Sequence, residues 1–209
     1  EGADDMAIVG TGKQAITQVA AVHAVRPLKR LRVFSPTPEN RKRFAETVGE
    51  RFGFEVIEAS SVEDAVRDAP IITTVTRAKD PFLFSEMVAV GSHINAAGAI
   101  IPAFAEIGED ILPRCDRVVV DNLEQCREMS RELQAFYDGG PGNWADVVPL
   151  SQLVAAGKTR PAGLDLTLFK WMGVGLADLA AGIEIFKRAQ QKGAGRAYPH
   201  PGRAVPDLS

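Results

Sequence analysis

Met6-Ala7-Ile8-Val9-Gly10-Thr11-Gly12-Lys13-Gln14-Ala15 decides the reading of this chain. The apolar run Met6–Val9 has the length and composition of a buried strand. It passes without a gap into a G-x-G-x-x-A turn, and a helix-compatible segment follows. In that pattern Gly10 permits the tight turn, Gly12 leaves no side chain where a pyrophosphate approaches the backbone, and Ala15 lets the helix lie close to the strand. The amide end of the helix then faces the phosphates. A glycine turn of this kind also joins strands to helices where no ligand binds, so the flanking sequence must support the reading.

Outward from this turn, strand-like and helix-like runs alternate. Strands are predicted at 6–9, 31–34, 55–57, 71–75, 91–96, 118–120 and 166–169. Helices are predicted at 14–25, 38–51, from Ser61 to near Asp68, and at 124–136, 149–156 and 176–191. Pro38 suits a first helical position, and Ser61 suits an N-cap ahead of the acidic pair Glu63-Asp64. Gly139-Gly140-Pro141-Gly142 marks a loop. This order predicts an α/β fold, a Rossmann-like doubly wound and mostly parallel sheet. A dinucleotide-binding domain is expected over 1–175, with a C-terminal helix and irregular arm over 176–209. In that helix Leu176, Leu179, Ile183 and Phe186 form one apolar stripe. Glu184 and Arg188 stand at i,i+4 spacing.

The chain has 209 residues and a net charge of −3, which points to neither nucleic acid nor an anionic membrane as partner. No apolar run reaches the roughly 18 residues of a transmembrane helix. The acidic start lacks the pattern of a signal peptide. Cys115 and Cys126 read as free buried thiols at opposite ends of a strand, and a cytoplasmic location fits them. The scattered histidines His23, His93 and His200 offer no metal-binding spacing, so no metal site is expected.

The end of the second strand bears on which dinucleotide is held. An Asp or Glu there accepts from the ribose hydroxyls in NAD sites. Here the position is Ser35, followed by Thr37 and Arg41, a set that suits a 2′-phosphate and favours NADP(H) over NAD(H). The same hydroxyls also serve as helix caps. Thr74, Val75 and Thr76 end the fourth strand at the edge where ligands bind in such sheets. Asn95-Ala96-Ala97-Gly98 leaves room for a flat ring near the backbone. His93 is either a packed group or a proton donor.

Taken together, these stretches resemble the ornithine cyclodeaminase/mu-crystallin family. The matching segments are Gly10–Ala15, Asp80-Pro81, Gly91–Ala99, Arg117–Asp121, and Leu168–Gly173 with Asp178 beyond. The resemblance implies a homodimer that acts at the C–N bond of a small amino acid or cyclic imine. By position it places Lys13 and Gln14 along the pyrophosphate, beside Gly10, Thr11 and Gly12. It places Ser35 and Thr37 at the adenosine ribose or its phosphate, and Thr74 and Thr76 along the middle of the cofactor. Ala96, Ala97 and Gly98 would pass under the nicotinamide, with Trp171 and Met172 closing that end.

Two departures shape the expected activity. Where cyclodeaminases of the family carry a general-acid/base Asp, two residues beyond the position of Gly98, this chain has Ile100, which cannot carry a proton. The family's segment before the glycine turn, which supplies the substrate-carboxylate clamp, is not expected in this chain. Catalytic residues therefore stay unassigned. The sequence favours an NAD(P)-dependent oxidoreductase of the ketimine reductase or amino-acid dehydrogenase type. The alternatives are ornithine cyclodeaminase and a non-catalytic dinucleotide- or small-ligand-binding protein.

Overall fold

A computed structural model describes residues 2–157 and 159–198. The chain divides into two compact units, Glu1–Gly173 and Val174–Ser209. In the first unit, strands β1 (Asp5–Val9), β2 (Arg30–Phe34), β3 (Glu55–Glu58), β4 (Ile71–Thr74), β5 (His93–Ala96), β6 (Cys115–Val120), β7 (Val148–Pro149) and β8 (Leu166–Lys170) form one sheet. Its order is β3-β2-β1-β4-β5-β8-β6-β7. Every pairing is parallel. The helices are α1 (Ala15–Val25), α2 (Pro38–Phe52), α3 (Val62–Val66), α4 (Leu123–Met129), α5 (Arg131–Tyr137) and α6 (Leu150–Ala155).

The apolar runs explain why the sheet is central. β1 is buried on both faces, as a parallel strand covered by helices must be. Met6 and Ile8 join Leu31 and Val33 against Ala15 and Val19 of α1 and Phe44 and Val48 of α2. Ala7 and Val9 face the other way, with Ile72, Ile94 and Leu168, toward Val66, Cys126 and Leu133. Each fully buried Val, Leu, Ile or Met side chain among them contributes about 1.5–3 kcal/mol. The chain runs outward from β1 to β3, then crosses back through α3 to β4 on the other side of β1. The strand order thus reverses between β1 and β4, where ligands bind in open α/β sheets.

Local signals account for most boundaries. Ser61 caps α3 by accepting from Asp64 N. Gly53 ends α2 in the left-handed region at φ 74°. Several expectations need correction. The helix expected over 124–136 is two helices, because Ser130 adopts φ −88°, ψ 94° and its hydroxyl accepts from Leu133 N. A local side-chain acceptor here competes with helix continuation. β5 opens at His93 rather than residue 91, since Gly91 turns at φ 91°. β7, a two-residue edge strand, carried no alternation to read. Cys115 opens β6 but Cys126 lies in α4, so the cysteines are not at opposite ends of one strand. Both are free, and burial pushes each thiol up to about 12.

The second unit contains α7 (Gly175–Gln191). Leu176, Leu179, Ile183 and Phe186 are exposed along it. Glu184 and Arg188 form the expected ion pair at 2.7 Å. His200 and the rest of the arm from Pro199 lie outside the described residues. Among the described residues no helix is long and apolar enough to cross a membrane.

Candidate functional site

The carboxyl edge of the sheet gathers the segments that the sequence singled out. The backbone after each strand continues the ladder onto its neighbour. Gly10 N donates to Phe34 O at 2.9 Å, Val75 N to Val9 O at 2.9 Å, Ala97 N to Thr74 O at 2.9 Å, and Trp171 N to Ala96 O at 3.0 Å. The turns after β2, β1, β4, β5 and β8 are therefore stitched into one continuous rim.

Gly10 and Gly12 occupy different situations within that rim. Gly10 sits at φ 113°, and a Cβ on it would lie 2.5 Å from Val75 O. The fold itself demands glycine there. Gly12 has ordinary φ, and a Cβ on it would meet nothing within 4 Å. Packing within the chain therefore does not explain the second glycine. At the amino end of α1, Ala15 N donates to Gly12 O at 3.0 Å, and the amides that α3, α4 and α5 satisfy with Ser or Asn have no side-chain cap here. Gly12, Lys13 and Gln14 are exposed around it.

At the end of β2, Ser35 is buried and its carbonyl accepts from Arg41 Nη1 at 2.9 Å. The Arg41 guanidinium lies 5.8 Å from the centre of the Phe34 ring. Its Nε is 3.6 Å from Glu58 Oε2, at the end of β3. Thr37 is the N-cap residue of α2 but makes no side-chain cap bond. The structure thus brings Ser35, Thr37 and Arg41 together beside the glycine turn.

The walls farther along are held by buried carboxylates that sequence reasoning missed. Glu106 is fully buried. Its Oε2 accepts from Thr74 Oγ1 and Gly98 N, both at 2.8 Å. Its Oε1 accepts from Thr76 N at 2.6 Å and Thr76 Oγ1 at 2.7 Å. One side chain thereby clamps the loops after β4 and β5, so closely that a Cβ on Gly98 would overlap Glu106 and the Thr76 backbone. Glu132 in turn positions Glu106: its Oε1 accepts from Glu106 N at 2.6 Å and Ile107 N at 3.0 Å. Its other oxygen meets Lys170 Nζ at 2.5 Å, at the end of β8. Lys170 is 0% exposed. A third carboxylate, the half-buried Asp121, accepts from Met172 N at 3.0 Å and Gly173 N at 2.8 Å and so fixes the turn after β8. Hydrogen bonds accepted by a carboxylate are shorter and roughly twice as strong as those between neutral groups.

These contacts refine what each predicted residue offers. Thr74 is fully buried, with its hydroxyl and carbonyl both engaged, so it shapes the wall from behind. Ala96, Ala97 and Met172 are also buried. Thr76 spends its hydroxyl on Glu106, while Val75 and Trp171 are half-buried at the rim. Ile100 is 40% exposed on the loop beyond Gly98.

His93 stands at the opposite edge, because β5 begins rather than ends there. Its Nδ1 is 2.8 Å from Thr167 Oγ1 and its Nε2 is 3.2 Å from Asn95 Oδ1. Burial holds its pKa below the ordinary histidine value. It is a packed, hydrogen-bonded group. Among the described residues no cluster of three or more His, Cys, Asp or Glu is placed to hold a metal ion.

Sheet order and the glycine turn define a doubly wound, parallel α/β fold of the Rossmann type. The model of the ornithine cyclodeaminase/mu-crystallin family matches residues 1–193, and the chain belongs to that family. It is 30% identical to a Delta(1)-pyrroline-2-carboxylate reductase of Bacillus cereus, over 92% of this chain and 60% of that protein. It is 33% identical to the ketimine reductase mu-crystallin of Mus musculus, over 86% of this chain and 54% of the mouse protein. Its fold matches the Thermococcus litoralis Delta(1)-pyrroline-2-carboxylate reductase, solved with NADH and L-proline, at a TM-score of 0.86 and 26% identity. That match covers 94% of this chain and 61% of the other. The chain therefore spans little more than half of these relatives' length.

Proposed function

We propose that this chain is the cofactor-holding part of an NAD(P)-dependent reductase or amino-acid dehydrogenase acting on the C–N bond of a small amino acid or cyclic imine. The observation that carries this reading is the pairing at the turn. Gly10 is glycine because the fold requires it, whereas Gly12 is glycine where the fold leaves space and an uncapped helix end faces outward. That arrangement fits a pyrophosphate.

In this reading Thr11, Gly12, Lys13 and Gln14 hold the pyrophosphate through backbone N–H groups. Ser35, Thr37 and Arg41 meet the adenosine ribose, and the Arg41 charge favours NADP(H) over NAD(H). Val75, Thr76 and the Ala97-Gly98 backbone flank the middle of the cofactor, with Trp171 at the nicotinamide end. A bound nicotinamide would supply a hydride to the carbon of a C=N bond as a proton joins the nitrogen, or in reverse take it from the carbon of the C–N bond as the nitrogen gives up a proton. The protein orients and screens that exchange: Glu106 and Asp121 fix the walls so that no reorganisation is needed on binding.

Ile100 favours reduction over cyclodeamination, because no acid stands at that position of the loop. A homodimer is carried with the family reading. The two free thiols fit a reducing, cytoplasmic setting. The test is titration of the 209-residue chain with NADH and NADPH, followed by nucleotide fluorescence and calorimetry. Saturable binding of at least one supports the reading, and binding of neither removes it.

A further inference from the structure

Arg41 shows two features that a surface arginine does not need. Its Nε is enclosed and, among the described residues, hydrogen-bonds to nothing. A buried N–H left unpaired costs free energy and calls for an explanation. Its charge is also not free. Glu58 Oε2 stands 3.6 Å from that Nε, while Nη1 is spent on Ser35 O and the guanidinium lies over Phe34. The arginine side chain is only 17% exposed.

The register explains why Glu58 is there. β3 runs parallel to β2 with Glu58 opposite Val33. Glu58 is the last residue of its strand, so its carboxylate reaches the same edge as Ser35, one strand farther out. Ala59 N donates to Val33 O at 2.9 Å and fixes that placement. A cofactor-selecting acid is ordinarily sought at the end of the second strand, and Glu58 stands at the end of the third.

We propose that Glu58 sets this chain's preference between phosphorylated and unphosphorylated dinucleotides, acting through Arg41. Its carboxylate holds the guanidinium down against Phe34 and competes for the charge that a 2′-phosphate needs. A 2′-phosphate dianion arriving beside Ser35 must either share Arg41 with Glu58 or draw it away. An unphosphorylated ribose faces no such competition. The site therefore selects for the 2′-phosphate less sharply than Arg41 alone would make it. This inference rests on the proposed dinucleotide reading.

The experiment measures Kd for NADH and NADPH in the wild type, E58Q, R41Q and the double variant, at low and high salt. Glu58→Gln is expected to raise the ratio of Kd(NADH) to Kd(NADPH) about tenfold at low salt, with the gain shrinking as salt screens the charges. In the R41Q background the same change at Glu58 is expected to do little. A ratio unmoved in E58Q overturns the proposal, and so does an equal gain in the R41Q background. If the wild type binds neither dinucleotide, the cofactor reading itself falls, a result distinct from binding with an unmoved ratio.

Discussion

Replacing Lys170 by Met tests the buried relay behind the rim. The ammonium is fully buried and 2.5 Å from Glu132 Oε2, and Glu132 itself is almost completely enclosed. Methionine keeps much of the length but leaves Glu132 charged and without its cation. Glu132 keeps its two backbone donors, Glu106 N and Ile107 N. Removing one partner of a buried ion pair costs about 3–5 kcal/mol. Natural domains have only about 5–15 kcal/mol in total, so the variant should be close to its limit of stability. At about 2–4 °C per kcal/mol for a chain of this size, the melting temperature should fall by about 6–20 °C. The double variant K170M/E132Q should melt well above K170M, because a glutamine carbonyl still accepts from both backbone groups and no charge is stranded. Thermal unfolding followed by circular dichroism at neutral pH reads both. A K170M fall below about 2 °C, or a double variant as unstable as K170M, would refute the reasoning.

Other consequences follow from the same contacts. Gly98→Ala forces a methyl into Glu106 and the Thr76 backbone, and should cost about 1–3 kcal/mol in urea unfolding; an unchanged midpoint and slope would contradict the packing described. His93 has a folded pKa below its ordinary 6.5. Its contribution is therefore fully present above about pH 6.5 and is lost as pH falls through the lower folded value. Melting temperature should drop more steeply below that pH in the wild type than in H93Q, and parallel curves would sink this assignment. Cys115 and Cys126, both pushed up to about 12, should resist iodoacetamide in the native state and react on unfolding; rapid native labelling of both would show the burial to be wrong.

The rim was legible where local chemistry is written into short patterns. The glycine turn, the β2 end and the small residues after β5 each announce themselves within a few positions. So do most strands, because burial on both faces leaves near-continuous apolar runs. The relay was not legible. Glu106, Glu132 and Lys170 lie far apart in sequence and meet only after the sheet forms, and an isolated Glu or Lys reads as a solvated surface charge. Glu132 also falls within 124–136, which the sequence predicts as one helix and the fold divides into α4 and α5. The Ser130 break that turns it inward depends on one hydroxyl competing with the helix, which apolar periodicity does not register. The sequence leaves the role of His93 open because a strand boundary off by two residues moves a side chain toward the opposite edge of a short strand. Hydrophobic alternation fixes faces better than ends.

The contrast between the two glycines of the first turn carries the cofactor reading. Gly12→Val adds a side chain where a Cβ meets no atom of the chain within 4 Å, so the fold should be undisturbed and only a ligand should feel the change. The decisive measurement is the NADH dissociation constant of G12V against the wild type, with melting temperature recorded alongside. Affinity weakened by more than about tenfold at an unchanged melting temperature is the predicted result. Unaltered affinity in a folded G12V would mean that no pyrophosphate lies against this turn.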